Sequence, residues 1–526
     1  MKYADRIWNS PVFRTVFSGV AAGFSFPQHG FSGLAFFALI PLFTAVGEVG
    51  RLPRAAFLGW IWGISFFAVL LPWIPAVMMN FGHQDPWTSG LVFILLLAVL
   101  GLYYALFAWI YAFFCRGLGP DRSLFLVPAL WTGIEWLRTY FPMGGFPWGQ
   151  LGYALTPCLA YMQSAALVGI YGPTFLAVLV NALVTGRLSW GRLGRGIRFG
   201  WTAMAVLLAA SWCYGLIVLH RRTLPASGQP PLPVAVLQGN IAFDNDLSAA
   251  RDAFQGFYLT QTRQAFRDGA LLVVRPESPT PFSFYDHEEY RLQLQSLAAE
   301  GKGFLLFNDI VTRGDGDSSR YFNGALLMGP DGKVRSEYHK TRLVPFGEYV
   351  PYAEYFGFAE ALTREVGAFT AGTLSGAMPL PSCRIGVFIC FETIFPDLVR
   401  RLSREDAGLL VNISNDAWYG RTSAPWQHLQ MAVVRAIENR RPLLRAANSG
   451  ISAWITPFGE IREPSPLFEQ RRIQASIPLE RERSLYLRIG DGFPLLCVMI
   501  VAAGMAWTGF RHGRQSGKRT GNDRKG

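Results

Sequence analysis

Apolar residues gather in long runs before about residue 220 and again near 493–510, while the stretch between carries an ordinary density of Asp, Glu, Lys and Arg. A helix needs about 20 apolar residues to cross the hydrocarbon core of a bilayer, with about 17–25 the usual range. Segments 55–77, 91–114, 159–184, 201–219 and 493–510 meet that length. Segments 12–26 and 31–46 are shorter and joined by Pro27-Gln28-His29-Gly30, which suits two spans or one re-entrant hairpin; 124–137 is the weakest because it holds Glu135. The pattern predicts seven spans before the polar region and one after it. With 51% hydrophobic and 16% charged residues over 526 positions, the chain is too apolar for an ordinary soluble enzyme and implies two environments.

Loop charge orients these spans. Arg and Lys cluster before the first (Lys2, Arg6, Arg14), after the second (Arg51, Arg54), after the fourth (Arg116, Arg122), after the sixth (Arg187, Arg192, Arg195, Arg198) and in the tail from Arg511 to Lys525. The loops between contain neither residue at 27–30, 80–86 and 139–157, and only His220-Arg221-Arg222 mildly breaks the pattern. The positive-inside rule then puts both termini in the cytoplasm and the polar domain outside. The net charge of +12 is topological and excludes a nucleic-acid binder as the working reading. The expected organisation is a membrane domain over 1–222, a Pro/Gly/Ser-rich linker over 223–232, an exported domain over 233–485, a span over 490–510 and a basic cytoplasmic tail over 511–526. Glu135 and Arg138 suggest an i,i+3 pair at the interface, with a functional intramembrane site as the alternative. His83 and Asp85 read as solvated.

Of the six cysteines, Cys115, Cys158, Cys213 and Cys497 fall in or beside spans. Cys383 and Cys390 are separated by an extended run of roughly 20 Å or more, beyond disulfide reach. Cys390 is thus a free thiol in an oxidising compartment, a hazard unless protected or used.

The exported region alternates short apolar runs (233–240, 270–274, 303–307, 321–328, 384–389, 408–413) with helical or turn segments (247–267, 290–299, 426–439), an α/β pattern whose sheet faces are covered by helices. Three β-forming stretches deliver a reactive group: an acid at Glu277, an amine at Lys340 and a thiol at Cys390. A carboxylate can take the proton of a thiol nucleophile and a lysine can balance an oxyanion. Glu277 is read as general base and then acid, Lys340 as oxyanion stabiliser, Cys390 as nucleophile, and the Phe391 N–H as a second oxyanion donor. Taken singly each has a blander reading: a turn carboxylate, a solvated charge run, a structural thiol. Glu392 is equally a local partner for a buried arginine, and Asn415, Asp416 and Trp418 either shape the pocket or cap a helix. Scattered histidines, no C-x-x-C and no Gly-rich phosphate loop lead to the expectation of no metal, nucleotide or other cofactor.

In this order, Gln238-Gly239-Asn240, Pro276-Glu277, Lys340 with Leu343-Val-Pro-Phe-Gly-Glu348-Tyr-Val-Pro, Cys390-Phe391-Glu392, Asn412-Ile-Ser-Asn415-Asp416-Ala-Trp418-Tyr-Gly and His428 through Asn439-Arg-Arg-Pro442 to Asn448-Ser-Gly-Ile451 resemble the apolipoprotein N-acyltransferases, membrane members of the nitrilase superfamily. The resemblance covers nearly the whole chain. It implies a multi-span α-helical domain joined to an αββα nitrilase-like sandwich, with Glu348 as a carboxylate orienting Lys340 or the base. It further implies a bacterial inner-membrane enzyme, monomeric, with its catalytic domain on the periplasmic side. The implied reaction moves a fatty acyl chain from a phospholipid, through a Cys390 thioester, to the α-amino group of a diacylglyceryl-cysteine apolipoprotein. Arg275 and Arg342 depart from the family pattern, as does 245–247 where a Lys-Trp pair is usual. A membrane-tethered amidase acting on small amides is the alternative enzyme, but one anchoring span would serve it. A transporter with an outer binding domain is disfavoured by the scarcity of ionisable residues in the spans.

Overall fold

The computed structural model describes residues 8–189, 195–221, 230–241, 255–277, 282–314, 316, 319–350, 369–374, 376–479 and 482–522. Lys2, Arg6, Arg192, most of the linker and 245–247 lie outside these residues. The chain divides into one unit of 1–75, 85–221 and 489–526 and another of 76–84 and 222–488.

The first unit is helical: α1 (Pro11–Phe24), α2 (Ile40–Glu48), α3 (Leu52–Leu70), α4 (Trp73–Asn80, which passes into the second unit), α5 (Pro86–Leu118), α6 (Val127–Tyr140), α7 (Tyr171–Ser189) and α8 (Arg195–His220), with a last helix at Gly492–Asn522. Leu52–Leu70, Pro86–Leu118, Arg198–His220 and Gly492–Phe510 are, among the described residues, the four helices long and apolar enough to cross a bilayer alone. The expected spans 91–114, 201–219 and 493–510 lie within three of these helices, whereas other segments are not continuous. Segment 55–77 breaks at Leu71-Pro72, where the proline lacks an N–H and disfavours helix before it. Segment 159–184 breaks at Gly169, whose φ of +74° turns the chain. Segment 31–46 is a 3-10 turn, Ser32–Phe36, followed by α2.

Close backbone approach joins α3 to α5. A Cβ at Gly59 would run into the Tyr104 carbonyl and one at Gly63 would lie 2.7 Å from Gly101 Cα, so small residues let the helices touch where lipid offers no hydrophobic drive. Glu135 and Arg138 are both buried, away from the solvated interface expected for them, and each hydrogen-bonds to other groups. Each has its own partners. Glu135 accepts from Trp131 Nε1 (3.0 Å), Leu151 N (2.9 Å) and Thr174 Oγ1 (3.0 Å). Arg138 donates to the carbonyls of Phe146 (2.7 Å) and Trp148 (2.6 Å) and lies over the Phe67 ring. His83 and Asp85 are both exposed, and Asp85 also caps α5 through Trp87 N and Thr88 N.

The second unit holds two six-stranded sheets. The first contains β1 (Leu232–Gln238), β2 (Leu272–Val274), β3 (Phe304–Arg313), β4 (Arg320–Met328) and β5 (Val334–His339). The second contains β6 (Met378–Pro379), β7 (Arg384–Ile389), β8 (Ala407–Ser414), β9 (Leu443–Ala447), β10 (Ala453–Ile455) and β11 (Ile461–Arg462); β12 (Arg471–Ile477) returns to pair with β1. The period of two sorts side chains between faces. Val234, Val236, Leu272 and Val274 meet Val387, Ile389, Val411 and Ile413 in a core between the sheets. Ala235, Leu237, Val273, Leu305 and Phe307 face the other way, under α9 (Thr260–Arg267) and α10 (Glu288–Gly301). The outer side of the second sheet is covered by α11 (Pro396–Arg404) and α12 (Ala424–Asn439). This is the α/β layering expected from the alternation of runs. β1–β2–β3 and β7–β8–β9 are parallel, and two antiparallel steps through β4 return β5 to the direction of β3.

Candidate active site

Carboxyl ends of parallel strands are where α/β sheets present ligand-binding residues. Glu277 follows β2, Lys340 follows β5 and Cys390 follows β7, so two sheets contribute to one cluster. Lys340 is buried, with its Nζ 2.7 Å from Glu348 Oε1 and 3.4 Å from Glu277 Oε1. The Asn323 amide donates to both carboxylates, at 2.7 Å to Glu277 and 3.2 Å to Glu348, and is itself held by Asn308 Nδ2 at 2.8 Å. Glu277 Oε2 accepts from Asn415 N at 3.0 Å and Glu348 Oε2 from Val344 N at 2.9 Å. Burial alone would lower the Lys340 ammonium, but Glu277 and then Glu348 outweigh it and hold the group above its usual value. The lysine stays cationic.

Cys390 stands at the junction of β7 with a 3-10 turn, Cys390–Ile394, in a left-handed conformation with φ +48°. For a non-glycine residue this costs of order 1–3 kcal/mol and persists only where surroundings impose it. Burial, then the Glu277 carboxylate, push its thiol well above the ordinary value, with Lys340 pulling the other way. The resting thiol is therefore neutral. Thiolate is the oxidisable and nucleophilic form, so a thiol held neutral is protected from oxidation. The Phe391 N–H belongs to the first turn of the 3-10 helix, where backbone donors have no intrahelical acceptor.

Glu392 anchors this junction. Its Oε1 accepts from Tyr338 Oη, Thr341 N, Thr341 Oγ1 and Arg342 N, and its Oε2 from Ile389 N, at 2.7–3.1 Å. The partner is thus mainly the chain beside Lys340, not an arginine guanidinium, and the carboxylate ties the Cys390 turn to the lysine's segment. Asn415 caps the 3-10 turn Asp416–Tyr419 while its N–H serves Glu277, so the two readings of this residue are joined. Trp418 packs edge-on against Phe81 at 4.9 Å. Arg275 is buried, donating to Thr262 Oγ1 and the Tyr258 carbonyl; Arg342 lies over the Phe395 ring near Asp397.

Sequence reasoning missed Asn323, Asn308 and Arg445; it named Asp416 as a pocket or capping residue and Asn412 and His428 only as parts of motifs, without the fully buried group that these three form with Arg445 behind Cys390. The available signal was polar residues inside otherwise apolar strands, such as Asn323 in β4 and Arg445 in β9.

Residues 18–183 match the family described as apolipoprotein N-acyltransferase N-terminal domain, and 233–486 match the carbon-nitrogen hydrolases. The protein named apolipoprotein N-acyltransferase from Geobacter metallireducens is 37% identical over 94% of this chain and 94% of its own. The chain belongs to the apolipoprotein N-acyltransferase family. The relative of the same name from Brucella suis is 34% identical, covering 84% of this chain and 82% of its own. A mutant of the Nesterenkonia AN1 amidase of the nitrilase superfamily aligns with 51% of this chain and 97% of its own, at 19% identity and a TM-score of 0.38.

Proposed function

We propose that this apolipoprotein N-acyltransferase family member moves a fatty acyl chain from a membrane phospholipid to the α-amino group of diacylglyceryl-cysteine in apolipoproteins, by way of a Cys390 thioester. The observation that carries this reading is the meeting of Glu277, Lys340 and the strained Cys390 in a chain whose other unit holds bilayer-length apolar helices. The sulfur attacks the ester carbonyl as Glu277 takes the thiol proton. Lys340 and the Phe391 N–H balance the oxyanion. The carbon–oxygen bond then breaks, Glu277 returns its proton to the departing lysophospholipid oxygen, and the thioester remains. The acceptor amine repeats the sequence: it attacks the thioester, Glu277 accepts its proton, and Cys390 leaves and is reprotonated as the amide forms. A diacylated acceptor leaves a bilayer at a cost of about 0.8 kcal/mol per CH₂, so membrane integration brings the thiol to its substrates. Loop charge favours cytoplasmic termini and a periplasmic second unit in a bacterial inner membrane.

The test is incubation with labelled phospholipid and no acceptor. Thioester on Cys390 and lysophospholipid in amounts near that of the enzyme are expected, and neither from Cys390→Ser. Lysophospholipid released only after an amine is added would replace the covalent route with direct transfer. For the orientation, Cys390 labelling by an impermeant thiol reagent in intact spheroplasts is expected; labelling only after permeabilisation would reverse it.

A further inference from the structure

The strain at Cys390 has an identifiable counterweight. Its carbonyl oxygen accepts from His428 Nε2 at 3.0 Å and from Thr393 Oγ1 at 2.8 Å. Arg445 Nη2 donates to His428 Nδ1 at 3.0 Å, leaving the ring proton on Nε2, where it points at Cys390. Asp416 completes the group: Oδ2 accepts from Arg445 at 2.7 Å, while Oδ1 accepts from Ser414 Oγ at 2.7 Å and lies 3.1 Å from Nδ1. Arg445 also reaches Asn412 Oδ1. Every one of these side chains is buried, and a Cβ at Gly450 would run into Asp416 Oδ2, so the cluster has no room to shift. Burial and Arg445 keep the imidazole below its ordinary value, hence neutral. The cluster also reaches the base, because Asn415, whose N–H serves Glu277, lies between Ser414 and Asp416.

We infer that His428, oriented by Asp416 and Arg445, is a positioning residue of the acyl transfer: it fixes the left-handed backbone of Cys390 through the carbonyl oxygen, in a cluster that also sets the Glu277-binding N–H of Asn415. His428 itself does not meet the reacting atoms. Its role is to keep thiol and base in register, where a displacement near 1 Å can cost about 10²-fold in rate. Glutamine can present an amide donor near the place of Nε2; phenylalanine fills the space without one.

The inference rests on the thioester reading, and the experiment separates the two. Full-length wild type, H428F and H428Q in detergent are given phospholipid without acceptor, and the single-turnover rate of thioester formation is followed against donor concentration. For H428F a fall of about 30–100-fold in the maximal rate is expected, with the half-saturating donor concentration unchanged; H428Q should return to within about fivefold of wild type. Equal losses in both, an unaltered H428F, or a change confined to half-saturation would overturn the inference. If H428F fails to accumulate, D416N is read by the same criteria: a lower maximal rate sustains the inference and a wild-type rate removes it. Absence of thioester in the wild type would strike the reaction, not the anchor. Iodoacetamide alkylation of Cys390, followed by peptide mass, then decides: slow in H428F and restored in H428Q sustains it, and equal rates in all three end it.

Discussion

Replacing Lys340 by methionine should harm the fold as well as the chemistry, in a way that a second substitution exposes. The ammonium sits between Glu277 and Glu348, with the side chains 1%, 12% and 13% exposed, and the carboxylates also share the Asn323 amide. Removing one partner from a buried ionic group costs about 3–5 kcal/mol, because the remaining charge is left without compensation. At about 2–4 °C per kcal/mol for a domain of this size, the apparent unfolding midpoint should fall by roughly 6–20 °C near pH 8. With the ammonium gone, two carboxylates face each other around one amide and neither keeps a positive partner. Adding Glu348→Gln removes one of the two facing charges and should recover part of the deficit. Differential scanning fluorimetry of the detergent-solubilised protein reads both results. A midpoint within about 3 °C of wild type, or a double variant worse than the single, would refute the reasoning.

Asn323→Leu leaves Glu277 and Glu348 without their shared amide donor; a drop of about 10–100-fold in thioester formation is expected by single-turnover assay, and an unchanged rate would remove Asn323 from the site. Burial pushes the Asp309 carboxyl up to about 7, with Oδ1 unpartnered and Oδ2 accepting from Phe284 N. A group with a raised folded pKa contributes stability that is fully present below its unfolded value, about 3.9 here, and lost as pH rises through 7, so Asp309→Asn should flatten the fall in melting midpoint between pH 4 and 8. Gly59→Leu forces a side chain into the Tyr104 carbonyl at the α3–α5 contact and should cut the yield of folded protein measured by size-exclusion chromatography, whereas Gly90→Leu, with open space at its Cβ, should not.

How much of this was legible depended on whether the deciding partner was local. Ile385 to Ile389 is an unbroken apolar run, and a strand buried on both faces reads that way, so the approach to Cys390 was visible. β5, Val334-Arg-Ser-Glu-Tyr-His339, was visible only as a β-forming stretch ending at Lys340, without its start, because it lies at the sheet edge and buries little beyond Tyr338. β9 was hidden by Arg445, a charge that becomes tolerable only when Asp416 arrives from another loop. Glu135 and Arg138 have the spacing of a helical pair, yet apart from Trp131 their hydrogen-bond partners come from 146–174, which spacing within α6 cannot foretell. Resemblance supplied Glu348 and the family motif around His428, but only distances assign His428 a task.

Because the thiol hangs from one sheet while the carboxylate and amine hang from the other, neither half of the second unit can be reactive by itself. Chain order sharpens this. Glu277 and Lys340 are synthesised before Cys390, whereas Asn415, His428 and Arg445 follow it, and β12, which closes the free edge of β1, comes last at Arg471–Ile477. A growing or truncated chain thus carries Cys390 as an ordinary thiol, outside the reach of its base and without its backbone anchor. If the proposed thioester forms, its reactivity arises late, as a property of the finished sandwich, and an acylated Cys390 would certify that the whole second unit has folded.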